Sequence, residues 1–572
     1  MYLGIDLGTT NSVVSRSFVD RNNNLVTEVV NIGQLYDDNW EKYPSLPSMV
    51  YFSDEGRIVG REAKRQRYQD REHVVTNAKR FMGTKHKWTI DGESFDAKEI
   101  GAIVLQHCKK AIDREGNMKY DTVVITVPAS FNPDQISDTI QAAKIAGFED
   151  VIIKHEPTAA LLSFIDEEAL KQPQDRIVDF SAQKRILVFD LGGGTCDTSV
   201  IDVKVDDGGI VFIERGVGRY QELGGIDFDA KLATGLMNNF FEQAGIMEGD
   251  LTDSQKNEMY RKLILGAETI KEKISSRIAN ADQNVDVETI SAKHIIPDFY
   301  DHKPLKIVLT KKDYDEYTRD LYIDKNIHFK KFEDLEKNKN IITVIRKTLE
   351  DYEIPPSSID YIFMTGGMSK FLTVRQKVEA YLKKPIIMPQ NPMDAVARGA
   401  SIYQHYKVTD KTERERSQRQ GIGSSATGAV EREVTHRDGI TDHMMLAEAI
   451  LLDVNEGLPK IIIPRKTFVP YEGKLIGEFR TSSPSGIKLN IYAAEDEFDS
   501  SMRLQKSLEK AFRFPVKSGT PFDIKYKINE NKAISMQIVI DDGIHSDEMD
   551  LSVYSDLRIE ERDLNVVTED DI

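Results

Sequence analysis

From Met1 to about residue 407 the chain alternates short apolar runs with stretches whose apolar residues recur at helical spacing. Met1-Tyr2-Leu3-Gly4-Ile5 and Val13-Val14 read as strands, with Asp-Leu-Gly-Thr-Thr-Asn-Ser between them. Residues 100–111 read as a helix, and residues 121–127 as a buried strand stopping at Pro128. This alternation predicts an α/β domain over residues 1–407. The pattern breaks at residues 409–439, a charged, Gly- and Ser-containing stretch with almost no large apolar residues. Such a stretch cannot bury enough surface to offset its ordering entropy, which predicts a polar flexible linker over 408–440. Beyond it the helical spacing fades. Residues 460–463, 474–481, 486–492, 522–528 and 533–540 alternate or run apolar over strand lengths, punctuated by Pro, Gly, Asn and Asp. They predict a compact β-sandwich over 441–558, followed by an acidic tail over 559–572.

Composition narrows the class. A chain of 572 residues exceeds one hydrophobic core and divides into several folding units. No apolar run reaches the ~18–20 residues of a membrane span; Ile461-Ile462-Ile463 stops at Pro464. The opening Met1-Tyr2-Leu3-Gly4-Ile5-Asp6 lacks the basic start and apolar stretch of a signal peptide. Cys108 and Cys196 are the only cysteines, too few for a disulfide framework. The net charge of −18 argues against nucleic acid and anionic membranes as partners. These features predict a cytoplasmic protein.

The chemistry is carried by an internal repeat. Tyr2-Leu3-Gly4-Ile5-Asp6-Leu7-Gly8-Thr9-Thr10 matches Ile186-Leu187-Val188-Phe189-Asp190-Leu191-Gly192-Gly193-Gly194-Thr195. Each copy is a strand, a tight Gly/Thr turn and a returning strand. Successive N–H groups in such a turn form an anion-binding concavity, glycine lets a ligand approach the backbone, and Thr hydroxyls add donors. An Asp at the strand end can hold a hydrated Mg²⁺. One such turn would be an ordinary hairpin; a matched pair, each with Asp in the same place, predicts two turns gripping the phosphates of one nucleotide.

Together with Asn77-Ala78-Lys79-Arg80, Thr126-Val127-Pro128-Ala129, His155-Glu156-Pro157-Thr158-Ala159-Ala160, Leu223-Gly224-Gly225 and Thr365-Gly366-Gly367, the repeat resembles the Hsp70 chaperone family, within the actin/hexokinase/Hsp70 superfamily. The resemblance implies a two-lobed, actin-like α/β ATPase domain followed by a β-sandwich that binds extended apolar peptide. It implies ATP/ADP, Mg²⁺ and K⁺ as cofactors, unfolded or apolar peptide segments as clients, a J-domain co-chaperone and a nucleotide exchange factor as partners, and a part in protein folding under stress. By motif, Asp6 and Asp190 would hold Mg²⁺ through water. Gly8, Thr9, Thr10 and Asn11, with Gly192, Gly193, Gly194 and Thr195, would hold phosphates. Lys79 resembles the family's lysine beside the γ-phosphate, and Glu156 and Asp197 the carboxylates that orient water and metal; Asp190 and Thr195 join them in catalysis. On the adenosine side the resemblance places Gly224, Gly225, Glu268, Lys271 and Ser275, faced by Gly366, Gly367, Ser369 and Asp394. Cys196 stands where Phe is usual and reads as a small buried filler.

In the second half, Ile450, Leu452, Phe479, Ile487 and Leu489 are the candidates for an apolar peptide pocket, although alternating apolar residues in a sandwich are ordinarily core. Three departures set the chain apart as a divergent, bacterial-type member. The family's linker of leucines ending in Asp-Val is not visible, and Gly439-Ile440-Thr441-Asp442-His443 stands near its place. An arginine that relays peptide signals is replaced by Ile136. The sequence stops at Ile572 without the family's helical lid, which predicts weak, fast-exchanging peptide. The first two departures predict weak coupling between ATP and peptide, unless Ile440, Met444, Met445 and Leu446 dock in place of the leucines. Two functions compete: an ATP-driven chaperone, and an ATP-dependent scaffold or regulator with one dedicated partner. A small-molecule kinase is disfavoured by the downstream β-domain and the Glu-Pro-Thr-Ala-Ala motif.

Overall fold

The computed structural model describes residues 1–114, 120, 122–206, 209–218, 222–282, 284–323, 339–419, 439–454, 458–499, 502–541, 546–552 and 564–569. They divide into two compact units, residues 1–187, 199–219 and 389–572 in the first, 188–198 and 220–388 in the second. The chain beyond 440 therefore belongs to the same unit as the N-terminal residues, a grouping that the hydrophobic pattern does not carry.

In the first unit the strands Tyr2–Leu7, Thr122–Val127 and Asp150–His155 run parallel, and Asn11–Val19 and Leu25–Val29 extend the sheet antiparallel. Their near-continuous apolar character follows from burial on both faces: Leu3, Ile5, Val123, Val124 and Ile125 are all inaccessible. The helices Glu156–Ala169 and Ala395–Arg419 cover this sheet, and Gly399 lets them meet, since a side chain there would collide with the Ala159 carbonyl. Helix Pro133–Ile145 starts at a capping box in which Asn132 accepts from the Gln135 N–H and the Gln135 side chain accepts from the Asn132 N–H. Ile136 is buried within this helix.

The second unit is built on the helices Gly225–Ala244, Asp253–Ala279, Ile341–Asp351 and Leu372–Leu382, a hairpin of Ser291–Tyr300 with Lys303–Thr310, and the parallel strands Tyr361–Thr365 and Ile386–Ile387.

The helix Ala395–Arg419 does not stop at 407, so the first residues of the expected flexible linker are helical; residues 420–438 lie outside the described residues. The strand Ile440–Met445 then pairs parallel with Gly209–Val217, Ile440 opposite Ile210 and His443 opposite Ile213. Its far end pairs with Phe468–Val469. Ile440, Met444, Met445 and Leu446 are buried, as the docking alternative requires. Two features permit a polar linker to dock. Strand pairing uses backbone groups and asks little of the side chains. The one buried charge, Asp442, is met by the Lys154 ammonium in a direct ion pair. The Met445 N–H donates to Glu214 Oε2 at 2.6 Å, and the buried Lys532 donates to the Ala129 carbonyl at 3.1 Å.

After the linker come two four-stranded antiparallel sheets. One has the order Lys460–Ile463, Ala449–Val454, Gly486–Ala494, Arg503–Ala511; the other, Tyr471–Arg480, Pro521–Ile528, Ile534–Asp541, Ser546–Ser552. Their alternate residues share one apolar core that includes Ile463, Ile491, Ile524, Ile528 and Ile538. The expected acidic tail is not simply solvated: within residues 564–569, Val566 and Val567 are buried.

Candidate functional site

The sequence-predicted site residues fall into two sets, one in each unit. In the first unit, Asp6 is the last but one residue of the strand Tyr2–Leu7, and the chain turns through residues 8–10 into the strand Asn11–Val19. A side chain at Gly8 would collide with the Asn11 carbonyl, so the turn closes only on glycine. The Thr10 hydroxyl oxygen is buried and has no hydrogen-bond partner among the described residues, a donor left for a ligand. Asp6 Oδ1 lies 3.5 Å from Thr126 Oγ1. Loss of water around it, with the Glu156 carboxylate adding repulsion, pushes Asp6 up to about 7 against the pull of Lys79.

Lys79 sits on the single 3₁₀ turn Ala78–Phe81, reached through Asn77 in the left-handed region at φ 58°, which Asn tolerates. Its ammonium lies 2.5 Å from Glu156 Oε1, with the two side chains only 7% and 8% exposed. Glu156 opens the helix Glu156–Ala169, where a carboxylate also suits the positive end of the helix dipole. Asp6, Lys79 and Glu156, 150 residues apart in the sequence, thus form one interacting cluster. It presents a positive group held by a carboxylate and a second carboxylate that a cation would keep ionised.

In the second unit the turn after Asp190 is fixed by its own backbone. Gly192 N–H donates to Thr195 O at 3.0 Å, Gly225 N–H to Gly192 O at 3.0 Å, and Ile226 N–H to Gly193 O at 2.8 Å. Thus Gly224 and Gly225, which begin the helix Gly225–Ala244, lie against residues 192–194. Gly366 has φ 82°, and a Cβ there would strike Asp190 and approach the Leu191 carbonyl to 2.5 Å; only glycine fits both demands. Asp197 is buried just beyond the turn. Cys196 is buried too, and burial together with Asp197, Asp190 and Asp227 pushes its thiol well up, so it is an inert filler and not a nucleophile.

Glu268, Lys271 and Ser275 share a half-buried face of the helix Asp253–Ala279, as their spacing of three and four requires. Lys271 Nζ contacts Asp229 Oδ2 at 2.6 Å and the Gly225 carbonyl at 3.1 Å. Asp229, which the sequence reading did not single out, is pushed up to about 6 by burial despite Lys271. The available signal was an acid on the buried face of a helix that opens with Gly-Gly. Ser369 is fully buried and its hydroxyl donates to the Gly366 carbonyl at 2.6 Å, so it braces the turn. Gly367 is exposed beside it. Asp394 belongs to the first unit, paired with Arg398 at 3.2 Å and accepting from Asn391 at 2.8 Å.

Ile450, Leu452, Ile487 and Leu489 are buried in the core shared by the two late sheets, and Phe479 packs half-buried against that core, its ring stacked on Phe522. The four aliphatic candidates therefore sit in the core, at the inward-facing alternate positions of their strands. Exposed apolar residues there include Leu458, Phe498, Leu504 and Ile476. Among the described residues no group of three or more His, Cys, Asp or Glu side chains is placed to hold a metal ion directly. No helix among them is long and apolar enough to cross a membrane.

A family model described as Hsp70 protein matches residues 2–415. The chain belongs to the Hsp70 family, which places its matched region in the actin-like ATPase fold and the protein among chaperone-type ATPases.

A neighbour of the cluster sets a pH dependence of stability. His155, next to Glu156, is buried with Nδ1 at 2.5 Å from Glu214 Oε1. Burial pushes it down to about 4, outweighing Glu214, while Lys532 and Lys154 act in the same direction as burial. The unfolded chain, with an ordinary His near 6.5, then binds the proton that the folded chain refuses between about pH 6.5 and 4. Stability is full above pH 6.5 and falls as pH drops through that window, by about 3 kcal/mol in all at ~1.4 kcal/mol per unit. Urea midpoints at pH 7 and pH 4.5 should differ less in His155→Asn than in the wild type; equal pH slopes would refute the assignment.

Proposed function

We propose that the protein is an ATP-driven chaperone that hydrolyses ATP to ADP and phosphate in the presence of Mg²⁺, and that the two late sheets form a β-sandwich that binds extended apolar segments of client proteins. The observation that carries the reading is the buried Lys79–Glu156 pair interacting with Asp6 at the Gly/Thr turn. Phosphoryl transfer to water asks the protein for charge neutralisation and a placed water and little covalent chemistry. In this reading the N–H groups of the turns at residues 8–11 and 192–195 bind phosphate oxygens, joined by the unpartnered Thr10 hydroxyl. Lys79 neutralises charge developing on the γ-phosphate, and Glu156 fixes the ammonium and orients the attacking water with Asp197. Asp6 and Asp190 would hold Mg²⁺ through water. The ion would neutralise phosphate charge. K⁺, a J-domain partner and an exchange factor belong to the same reading.

Burial of the expected pocket residues favours keeping a second reading, an ATP-dependent regulator that recognises one dedicated partner. The exposed Leu458 and Phe498 sit on neighbouring loops, since the Ile461 N–H donates to Glu497 Oε1 at 3.2 Å, and either reading would use them. ATP turnover measured with and without unfolded protein, together with an array of peptides, separates the two. Stimulation and broad binding of apolar sequences is the expected result; a single bound sequence with no stimulation by unfolded protein selects the regulator.

A further inference from the structure

The strand Gly56–Val59 is paired along one edge with Val50–Ser53. Its other edge carries residues 564–569. Arg57 N–H donates to Asn565 O at 2.8 Å, Val567 N–H donates to Arg57 O at 3.0 Å, and Val566 stands opposite Arg57 in parallel register. This is strand addition, in which backbone bonds supply the attachment and side-chain pockets the selectivity.

The second wall is the helix Ala97–Arg114, through three residues four apart on one face. Gln106 Oε1 accepts from the Leu564 N–H at 3.1 Å, Lys110 Nζ donates to Val566 O at 3.0 Å, and Arg114 lies 3.7 Å from Glu569. Val566 and Val567 are 2% and 5% exposed, Val567 within a cluster with Leu35 and Ile58. Glycines make the room: a Cβ at Gly56 would come within 2.6 Å of Asn565 O, and one at Gly33 within 2.5 Å of Glu569 Oε1.

A sheet edge, a polar helix face, an apolar pocket and two glycine clearances all fit the same six residues. We propose that residues 564–569 are a docking strap, a peptide motif recognised in cis by the groove between the strand Gly56–Val59 and the helix Ala97–Arg114. The strap ties the sheet ending at Ser552 back to the ATPase domain, in addition to the linker strand Ile440–Met445 and the Lys532–Ala129 contact. Residues 553–563, between Ser552 and the strap, lie outside the described residues. A connection of that length keeps the motif at an effective concentration of about a millimolar, so even a weakly binding motif stays seated.

The test uses the full chain carrying Val566→Asp and Val567→Asp, which empties the groove while leaving it intact. A fluorescent peptide of residues 563–572 should bind this variant saturably and leave the wild type, whose groove is filled, at least ~10-fold more weakly labelled, as an intramolecular competitor at millimolar effective concentration requires. In the same variant, hydrogen exchange at Arg57 should accelerate, and the linker strand should exchange faster as well. Adding Arg114→Glu should weaken the peptide, and a peptide with Glu569→Arg should recover binding to that protein. Equal binding to variant and wild type overturns the proposal. So does no binding to a variant that melts like the wild type, and so does a wild-type dimer in which copies exchange the motif.

Discussion

Lys79→Ala is expected to lower ATP turnover by ~10²–10³-fold while leaving nucleotide affinity largely unchanged, the usual effect of removing one group aimed at transition-state charge. In the proposed reading the ammonium acts at the phosphate end, and the backbone N–H groups of the glycine turns remain. The loss should have a second component. Glu156, almost inaccessible, would lose its ion-pair partner, and Asp6 would lose the charge that now opposes its protonation. Asp6 should then take up a proton more readily, so residual turnover in Lys79→Ala should rise more steeply between pH 6 and 8 than in the wild type. Phosphate release gives the rate, and titration with a fluorescent ATP analogue gives the affinity. Turnover at the wild-type rate would show that Lys79 is not in the site.

Asp442→Asn should detach the linker strand. Burial, with Lys407 acting in the same direction, pushes the Lys154 ammonium down to about 7 against the pull of Glu214 and Glu530, and Asp442 is the carboxylate in direct contact with it. Without that carboxylate the strand must dock over an unpaired buried charge or over a lysine stripped of its proton. Breaking a buried pair from one side costs about 3–5 kcal/mol. The sign follows from the shift. The docked lysine binds its proton more weakly than an exposed one near 10.5, so docking in Asp442→Asn is weakest below about pH 7 and recovers as pH rises above it. Lys154→Met with Asp442→Leu should restore docking, because two apolar groups replace both charges. Hydrogen exchange of residues 440–445 reads all three proteins. Unchanged protection in Asp442→Asn would remove the ion pair from the account of docking. The expectation of weak coupling rested on Ile136 and on the polar tether; with the strand paired to Gly209–Val217, the same substitution tests whether peptide off-rates respond to nucleotide through this contact.

What the sequence determined by itself is local. The two Asp-Leu-Gly turns, the strands that alternate or run apolar, the helix face shared by Glu268, Lys271 and Ser275, and the inert place of Cys196 all follow from spacing and residue type within a few positions. Backbone sterics and the periods of helix and strand act at that range. Recognition of the family rested on the same short motifs. The tertiary structure alone decided which residues meet across long separations. Lys154 meets Asp442, Glu214 meets Met445, and Arg57 meets Val566, each pair hundreds of residues apart. A polar linker and an acidic tail look unable to dock because a sequence shows the charge and not its partner. Likewise the alternation of Ile450, Leu452, Ile487 and Leu489 is the same whether the apolar face meets a second sheet or a bound peptide. Only the tertiary structure shows these four side chains buried in a cluster shared by both late sheets.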